Sequence, residues 1–236
     1  PEQVERFVEW CAVRGSGAPL AYVLGTAGFY GRDFCVDPRV LVPRPETERL
    51  IAEALAFLEG FPPQSAAAVL DVGTGSGAIA CTIAAEVRSA VVDGTDVSPE
   101  ALEVAQRNAR ELGVAERCRF HLGDLAAPVG GRRFDVVLAN LPYVPTAELP
   151  QRPDPVAFEP RQALDGGADG LGTYRRFVPA ARALLEPGGL LLLEAAPPQM
   201  AGLLDLVEAA FPGLGAVAGD DFAGLARYVR VRIPGP

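Results

Sequence analysis

The chain has 236 residues and a formal net charge of −9, from 21 basic and 30 acidic side chains. Hydrophobic residues make up 49% of it, which excludes a disordered chain and is typical of a globular protein with a substantial core. The shortage of Lys and Arg argues against stable nucleic-acid binding as the main role, because phosphate contacts need basic side chains. No run of 18 apolar residues occurs, so we expect no membrane-spanning segment.

Cysteine and histidine usage points away from a metal site. The four cysteines are far apart in the sequence: Cys11, Cys35, Cys81 and Cys118. His121 is the single histidine, which excludes a histidine-based zinc cluster, and we expect no bound metal. With no recognisable signal peptide, we expect a cytoplasmic protein with reduced thiols. Because the chain starts at Pro1 rather than Met, we expect it to be a piece of a longer one.

The N-terminal quarter is predicted to contain a short amphipathic helix over 1–14, a hairpin over 28–45 and a helix over 45–59. From residue 68 onward, predicted strands and helices alternate regularly. Strands are predicted at 68–73, 90–97, 117–124, 134–140, 190–195 and 226–233. Helices are predicted at 77–87, 99–112, 173–185 and 199–210, the second of them capped by Ser98. This alternation predicts an α/β fold with a doubly wound, mostly parallel sheet.

Such sheets bind ligands beyond the carboxyl ends of their strands, where the strand order reverses. The polar motifs of this chain all follow predicted strands. A long proline-rich segment, 144–170, comes directly after one of them. Long ordered loops in compact domains are usually functional, so we expect this segment to cover a substrate.

A glycine-rich turn, Gly73-Thr-Gly75-Ser-Gly77, joins the first regular strand to its helix. Glycines allow a ligand to approach the backbone closely. Followed by Ala78, the motif suits a nicotinamide cofactor, and it suits S-adenosylmethionine equally. Asp96, at the end of the next strand, could accept both ribose hydroxyls of either ligand.

A further acid, Asp124, follows the third strand, where it could accept the exocyclic amine of an adenine with Leu125 against the ring. Together with Asp71 and Asp96 it predicts a negative rim. Such a rim favours S-adenosylmethionine, which carries a sulfonium and an ammonium group, over a pyrophosphate.

The sequence Asn140-Leu141-Pro142-Tyr143 ends the fourth strand and indicates the reaction class. An amide nitrogen is a poor nucleophile because its lone pair is delocalised. The side-chain oxygen of Asn140 and the carbonyl of Leu141 could hold its two hydrogens and aim the lone pair at a methyl group, while Tyr143 stacks on the planar group. Alignment would then supply most of the rate.

These motifs together resemble the HemK-type protein-(glutamine-N5) methyltransferases, which modify peptide chain release factors. The resemblance extends over 19–194 and is carried by the following segments: PLAYVLGTAGFYGRDF, VLVPRPETERLI, LDVGTGSGAIA, DVSPEALEVAQRNA, FDVVLANLPYVP, EPRQALDGGADGLGTYRR and LLEPGGLLLLE. It implies a seven-stranded Rossmann-like class I methyltransferase fold, preceded by the hairpin and a remnant of an N-terminal helical domain. It also implies methyl transfer from S-adenosylmethionine, with S-adenosylhomocysteine as product, to the Gln of a Gly-Gly-Gln motif.

The resemblance also implies roles for individual residues. Asn140, Leu141, Pro142 and Tyr143 would act on the glutamine amide, with Asn140 also touching the cofactor. The implied cofactor-binding set is Asp71, Gly73, Thr74, Gly75, Ser76, Gly77, Asp96, Val97, Asp124, Leu125, Arg44, Glu46 and Thr47. Within it, the glycine loop would hold the methionine part, Asp96 the ribose, and Asp124 with Leu125 the adenine.

Three departures from the family pattern concern the substrate side. Leu141 replaces the first proline of N-P-P-Y, which is expected to make the turn less rigid. The segment after Glu194 reads AAPPQM, where the family has a glycine-containing turn. Residues 1–24 are expected to be the remnant of the substrate-recognition domain, and 25–236 the methyltransferase domain, including the hairpin at 25–44.

The sequence leaves other interpretations of the function open. The same chemistry could act on another protein or on an exocyclic amine of a nucleic acid, since enzymes of that class use similar strand ends. A nicotinamide dehydrogenase or a binding module without turnover is compatible with the glycine loop alone. We expect a protein partner and favour a monomer.

Overall fold

The structure is a computed structural model that describes residues 2–61 and 65–235. It opens with helix α1 at Glu2–Gly15 and the short helix α2 at Leu20–Leu24. A hairpin follows, in which β1 (Thr26–Phe29) pairs antiparallel with β2 (Arg32–Cys35). The predicted N-terminal helix and hairpin are therefore present, but the hairpin ends at Cys35 rather than at residue 44 or 45.

The rest of the described chain alternates strands and helices. The helices are α3 Thr47–Leu58, α4 Ala78–Glu86, α5 Pro99–Glu111, α6 Arg161–Leu164, α7 Gly172–Ala181 and α8 Met200–Ala210. The strands are β3 Ala68–Val72, β4 Val91–Asp96, β5 Cys118–Leu122, β6 Phe134–Ala139, β7 Leu185–Glu194, β8 Val217–Asp220 and β9 Ala226–Arg232.

These strands form one seven-stranded sheet in the order β5-β4-β3-β6-β7-β9-β8. The first five are parallel to their neighbours, whereas β9 runs antiparallel to both β7 and β8. The chain winds outward from β3 to β5 and then returns to β6 on the other side of β3. The order therefore reverses between β3 and β6, where a doubly wound sheet leaves room for a ligand.

Both faces of the sheet are buried, and successive residues of each strand supply opposite layers. In β6, Val136 and Leu138 pack with α3 and α4, whereas Val137 and Ala139 pack with α7 and α8. Burial on both faces explains why the central strands β3 and β6 are mostly apolar, whereas β9, with the sequence ARYVRVR, alternates apolar and basic residues. The two layers fix the sheet rigidly and so place its strand ends.

Two helix signals are confirmed in detail. The Ser98 hydroxyl accepts a hydrogen bond from the Ala101 amide at 3.0 Å and caps α5, with Pro99 as the first helical residue. Gly113 follows this helix with φ +69°, the left-handed conformation that commonly ends a helix.

Several boundaries differ from the predictions. Helix α3 begins at Thr47 rather than Pro45, because the PRPE segment forms a turn before it. The helix predicted at 173–185 ends at Ala181, and β7 begins already at Leu185. Strand β8 was not predicted, since its sequence VAGD has no clear strand pattern and it pairs only at the sheet edge. No helix in 2–61 or 65–235 is long and apolar enough to cross a bilayer.

Candidate active site

The carboxyl ends of β3, β4, β5 and β6 surround a cavity of about 210 Å³, which we call the strand-end cavity. Its wall contains these residues of the predicted site: Gly73, Gly75, Asp96, Val97, Asp124, Leu125, Asn140, Leu141 and Pro142. Pro160, Gln162 and Ala163 of the long loop also line it. The structure thus brings motifs from four separate strand ends together, and the proline-rich segment lies over them as predicted.

The glycine loop takes a path that side chains would obstruct. Gly73, Gly75 and Gly77 have φ values of +75°, +53° and +77°. A Cβ on Gly73 would lie 3.1 Å from the Leu141 side chain, and one on Gly77 would lie 3.1 Å from the Ala105 Cβ. Gly73 and Gly75 therefore face the cavity, whereas Gly77 allows α4 to pack on α5 and lines no part of the cavity.

Asp71 does not belong to the negative rim that the sequence predicts. Its side chain is fully buried below the glycine loop, where Oδ2 accepts hydrogen bonds from the Thr74 hydroxyl at 2.6 Å and the Ala80 amide at 3.2 Å. Burial raises its pKa to about 7. Because β3 points this residue into the protein, its position is that of a support for the loop, and the rim consists of Asp96 and Asp124.

Asp96 connects two backbone segments at the rim. One carboxylate oxygen accepts from the Gly75 amide and the other from the Ser98 amide, both at 2.9 Å. Burial raises its pKa, and these backbone hydrogen bonds oppose the rise. The side chain is thereby held in one orientation beside the cavity, with Val97 exposed next to it.

Asp124 and Leu125 lie at the end of β5, the strand next to β4. The Asp124 carboxylate is paired with the guanidinium of Arg176, in a pair that is more than half exposed. Leu125 has φ +50°, which is costly for a branched side chain and directs this residue into the cavity wall. Gly123, directly before Asp124, cannot be replaced by a residue with a side chain, since a Cβ there would lie 2.4 Å from the Pro128 ring.

The Asn140 turn is held by hydrogen bonds on both sides. Asn140 Nδ2 donates to the Thr47 hydroxyl at 3.1 Å, and the Leu141 amide donates to the Tyr174 hydroxyl at 3.1 Å. A proline at position 141 could not make the second bond. The rigidity that the sequence pattern expects to be lost with Leu141 is thus offset by a hydrogen bond and by burial of its side chain.

A second recess of about 150 Å³, the Tyr143 recess, adjoins the strand-end cavity. Asn140 lines both spaces. The other walls come from the start and end of the long loop and from the segment before α3: Leu41, Arg44, Tyr143, Val144, Val156, Ala163 and Leu164. Burial raises the pKa of Tyr143, so its ring meets the recess as a neutral phenol.

Of the three residues that the resemblance implies before and at the start of α3, Arg44 lines the Tyr143 recess, whereas Glu46 and Thr47 line neither this recess nor the strand-end cavity. Arg44 forms an ion pair of 2.6 Å with Glu159 of the long loop, whose carboxylate is buried. Glu159 also accepts from the Val42 amide at 3.1 Å, so it ties the loop to the segment before α3. Glu46 is half-buried, and its charge opposes ionisation of the Glu194 carboxyl at the end of β7.

A smaller recess of about 60 Å³ lies between the glycine loop and the start of α3. Thr74, Ser76, Arg44, Thr47 and Asn140 take part in its wall. Thr74 and Ser76 therefore face this recess rather than the strand-end cavity.

Three contributors to the site were missed from the sequence. Glu194 ends β7 as a fully buried carboxylate beside Thr47 and Tyr143, and burial raises its pKa to about 7. Gly166 and Gly170 let the long loop close onto the turn at Pro142 and Tyr143, because a Cβ on Gly170 would lie 2.2 Å from the Tyr143 carbonyl oxygen. An acid ending an otherwise apolar strand was the available signal for Glu194.

Comparison with known proteins places this site in a family. A family model described as a methyltransferase domain matches residues 63–211. A release factor glutamine methyltransferase of Moorella thermoacetica is 46% identical over 209 residues, covering 89% of this chain and 73% of the relative. The corresponding protein of Bacillus subtilis is 37% identical over 232 residues, covering 97% of this chain and 80% of the relative.

Solved structures agree with the fold. A release factor-specific protein-(glutamine-N5) methyltransferase from Alicyclobacillus acidocaldarius has a TM-score of 0.52 at 27% identity, covering 85% of this chain and 99% of the other. A 16S rRNA methyltransferase from T. thermophilus has a TM-score of 0.60 at 21% identity, covering 88% of this chain and 49% of the other, and so supports the fold alone. The chain belongs to the family of release factor glutamine methyltransferases.

Proposed function

We propose that this enzyme transfers a methyl group from S-adenosylmethionine to the side-chain nitrogen N5 of a glutamine, in the Gly-Gly-Gln sequence of a peptide chain release factor. The observation that carries the proposal is the position of Asn140, which lines both the strand-end cavity and the Tyr143 recess. A methyl donor in the first space and a glutamine side chain in the second would meet at this residue. The names of the relatives support a release factor as the protein substrate.

The chemistry of the strand-end cavity fits a cationic donor. Asp96 and Asp124 contribute carboxylates to its wall. Both arginines of the wall are already paired with carboxylates: Arg39 with Asp37 and Glu103, and Arg176 with Asp124. This arrangement attracts a ligand that carries a sulfonium and an ammonium group, and it opposes a pyrophosphate. It therefore supports S-adenosylmethionine over a nicotinamide dinucleotide.

In this proposal the donor supplies a methyl group on a sulfonium sulfur, and the chain positions it. Backbone groups of Gly73–Gly75 would hold the methionine part, while Thr74 and Ser76 shape the loop from behind. Asp96 would accept the ribose hydroxyls beside Val97. Asp124 would accept the adenine amine, with Leu125 against the ring.

The turn after β6 would activate the substrate by orientation. Asn140 Oδ1 and the Leu141 carbonyl oxygen would each accept one hydrogen of the glutamine amide. Held in this way, the amide nitrogen attacks the methyl carbon as the carbon–sulfur bond breaks and its electron pair stays on sulfur. The cationic amide then loses one proton to solvent, so the step needs no strong base, and alignment supplies most of the rate.

The Tyr143 recess would receive the glutamine side chain. Tyr143 lines this recess and Pro142 lines the adjoining strand-end cavity, so the two would frame the planar amide. The Arg44–Glu159 ion pair ties the long loop to the segment before α3. Residues 25–236 would form the methyltransferase domain. Residues 1–24 would contribute to recognition of the protein substrate, because Val4, Phe7 and Val8 of α1 are all at least 59% exposed.

Incubation with labelled S-adenosylmethionine and release factor, followed by mass spectrometry of tryptic peptides, tests the proposal. We expect one methyl group on the Gln of the Gly-Gly-Gln peptide. Calorimetry with S-adenosylmethionine and NAD serves as the control for the donor. Tight donor binding with no label on that glutamine, or label in RNA or DNA in place of protein, would contradict the proposed substrate.

A further inference from the structure

Glu194 ends β7 beside the strand that carries Asn140, and its side chain has an unusual environment. The residue is 1% exposed, and neither carboxylate oxygen makes a hydrogen bond of standard geometry among the described residues. A buried carboxylate is costly unless it is paired, so an apolar residue would serve packing better at this position. This cost indicates a role that requires the acid.

Ion pairing does not explain the acid. Arg227, the cation whose charge favours the ionised form of Glu194, forms its ion pair with Asp221 at 3.1 Å. Burial, together with the charge of the nearby Glu46, raises the pKa of Glu194 to about 7. The hydroxyl groups of Thr47 and Tyr143 act in the opposite direction and lower this pKa.

Thr47 connects Glu194 to the reacting centre. Its hydroxyl oxygen accepts the hydrogen bond from Asn140 Nδ2 at 3.1 Å, and its own hydrogen remains to be donated. An ionised carboxylate can accept but cannot donate. With Glu194 nearby, Thr47 therefore donates toward Glu194 and accepts from Asn140. The carboxylate thus fixes the donor and the acceptor in both polar contacts of Thr47.

This direction decides which end of the Asn140 amide meets the substrate. With Nδ2 bound to Thr47, Oδ1 makes no hydrogen bond within the described chain and faces the spaces that Asn140 lines. If Thr47 instead donated to Asn140, the amide would turn over and present its NH₂ group. Two donors would then face each other across the recess, and a substrate amide could not be held by its hydrogens.

We propose that Glu194 is a positioning residue, which acts through Thr47 to keep Asn140 Oδ1 toward the substrate amide. The proposal rests on the proposed function, since it concerns the orientation of the amide acceptor. It also assigns Thr47 to the orientation of Asn140 rather than to direct contact with the methyl donor. Tyr174 secures the same strand end independently, by donating its hydroxyl to the backbone carbonyl of Glu194.

Paired variants test the proposal. Glu194→Met removes the acceptor and Thr47→Val removes the hydroxyl that connects it to Asn140. Thr47→Ser retains the hydroxyl, and Glu194→Gln mimics the protonated acid, which can donate as well as accept. Thr82→Val is the matched control, because Thr82 is fully buried in α4 and its hydroxyl has no partner in the described chain. For each variant, kcat and KM are measured with a Gly-Gly-Gln peptide or release factor, and the Kd of S-adenosylmethionine by calorimetry.

We expect Glu194→Met and Thr47→Val to lower kcat by roughly 10- to 100-fold, the effect of misorienting one group that holds the substrate. The Kd of S-adenosylmethionine should change less than about threefold, because neither Glu194 nor Thr47 lines the strand-end cavity proposed for the donor. Thr47→Ser and Thr82→Val should stay within about threefold of the wild type, whereas Glu194→Gln, which can donate as well as accept, should show the reduced kcat of the protonated enzyme at every pH. A kcat within threefold for Thr47→Val, an equal loss in Thr47→Ser, or a wild-type kcat in Glu194→Gln would overturn the proposal.

A pH profile separates this role from simple support of the fold. Protonated Glu194 can donate to Thr47 and no longer enforces the direction, so wild-type kcat should fall as pH drops through about 7. Glu194→Gln should lack this fall, and its persistence in that variant would contradict the proposal. The profile and the Thr47 pair remain decisive if Glu194→Met does not fold. Failure of wild-type enzyme to methylate glutamine would instead refute the proposed function.

Discussion

The two halves of the site are built in different ways. The glycine-loop half comprises Asp71–Gly77, Asp96 and Asp124, and its Gly75–Asp96 hydrogen bond joins residues 21 apart in the chain. The Asn140 half comprises Asn140–Tyr143 with Thr47 and Glu194, and its Asn140–Thr47 hydrogen bond joins residues 93 apart. The half proposed to bind the cofactor is thus held by a contact between neighbouring strand ends, whereas the half proposed to orient the substrate is held by a contact between segments far apart in the chain.

The largest expected effect lies in the Asn140 half. Asn140→Ala removes the acceptor that holds the substrate amide, and we expect methyl transfer to slow by roughly 10²- to 10³-fold. S-adenosylmethionine should still bind, somewhat more weakly, because Asn140 also lines the strand-end cavity. Single-turnover kinetics and calorimetry measure the two effects separately. A normal transfer rate in this variant would exclude the amide-orienting role.

In the glycine-loop half, Asp96→Ala should act mainly on the cofactor. Loss of a charge-assisted contact to the ribose is expected to weaken binding of S-adenosylmethionine by about 2–3 kcal/mol. Ser98→Ala is the control, since it removes the cap of α5 next to Asp96 without removing the carboxylate. An unchanged Kd in Asp96→Ala, or an equal weakening in Ser98→Ala, would count against the ribose assignment.

The acid beneath the glycine loop predicts a pH effect on stability. Burial raises the pKa of the Asp71 carboxyl from its ordinary value of 3.8 to about 7, so the folded chain binds more protons than the unfolded chain between these values. Stability from this group is therefore highest at low pH and is lost as pH rises toward 7. Between pH 5 and 8, the free energy of unfolding should fall by about 2 kcal/mol more in wild type than in Asp71→Asn. Urea unfolding at both pH values measures the difference, and an equal change in the free energy of unfolding for wild type and Asp71→Asn would refute the prediction.

The smallest expected effect concerns the rim. Arg176→Met frees the Asp124 carboxylate for the adenine amine and should tighten S-adenosylmethionine binding by about two- to threefold, since exposed ion pairs contribute little. Arg175→Met is the matched control, because Arg175 lies beside Arg176 on α7 and forms an exposed ion pair with Asp169. Weaker binding in Arg176→Met alone would mean that the arginine itself contacts the donor.

The same contrast explains what could be predicted from the sequence. Gly73, Gly75 and Asp96 follow predicted strands, and the rule for doubly wound sheets places such residues together. Asp71 was misplaced because strand alternation alone does not show whether an acid at a strand end points outward or inward. The resemblance brought Thr47 and Asn140 to one pocket, but their hydrogen bond was not foreseen. Glu194 was not foreseen either, since nothing local in 185–196 signals that its side chain lies beside the start of α3.

The most direct test of the account is a crystal structure of the enzyme with S-adenosylhomocysteine and a peptide containing Gly-Gly-Gln. We predict that the sulfur faces the end of β6 and that the glutamine nitrogen lies within hydrogen-bond distance of Asn140 Oδ1 and the Leu141 carbonyl oxygen. A sulfur directed away from Asn140, or a glutamine amide held by other groups, would contradict it.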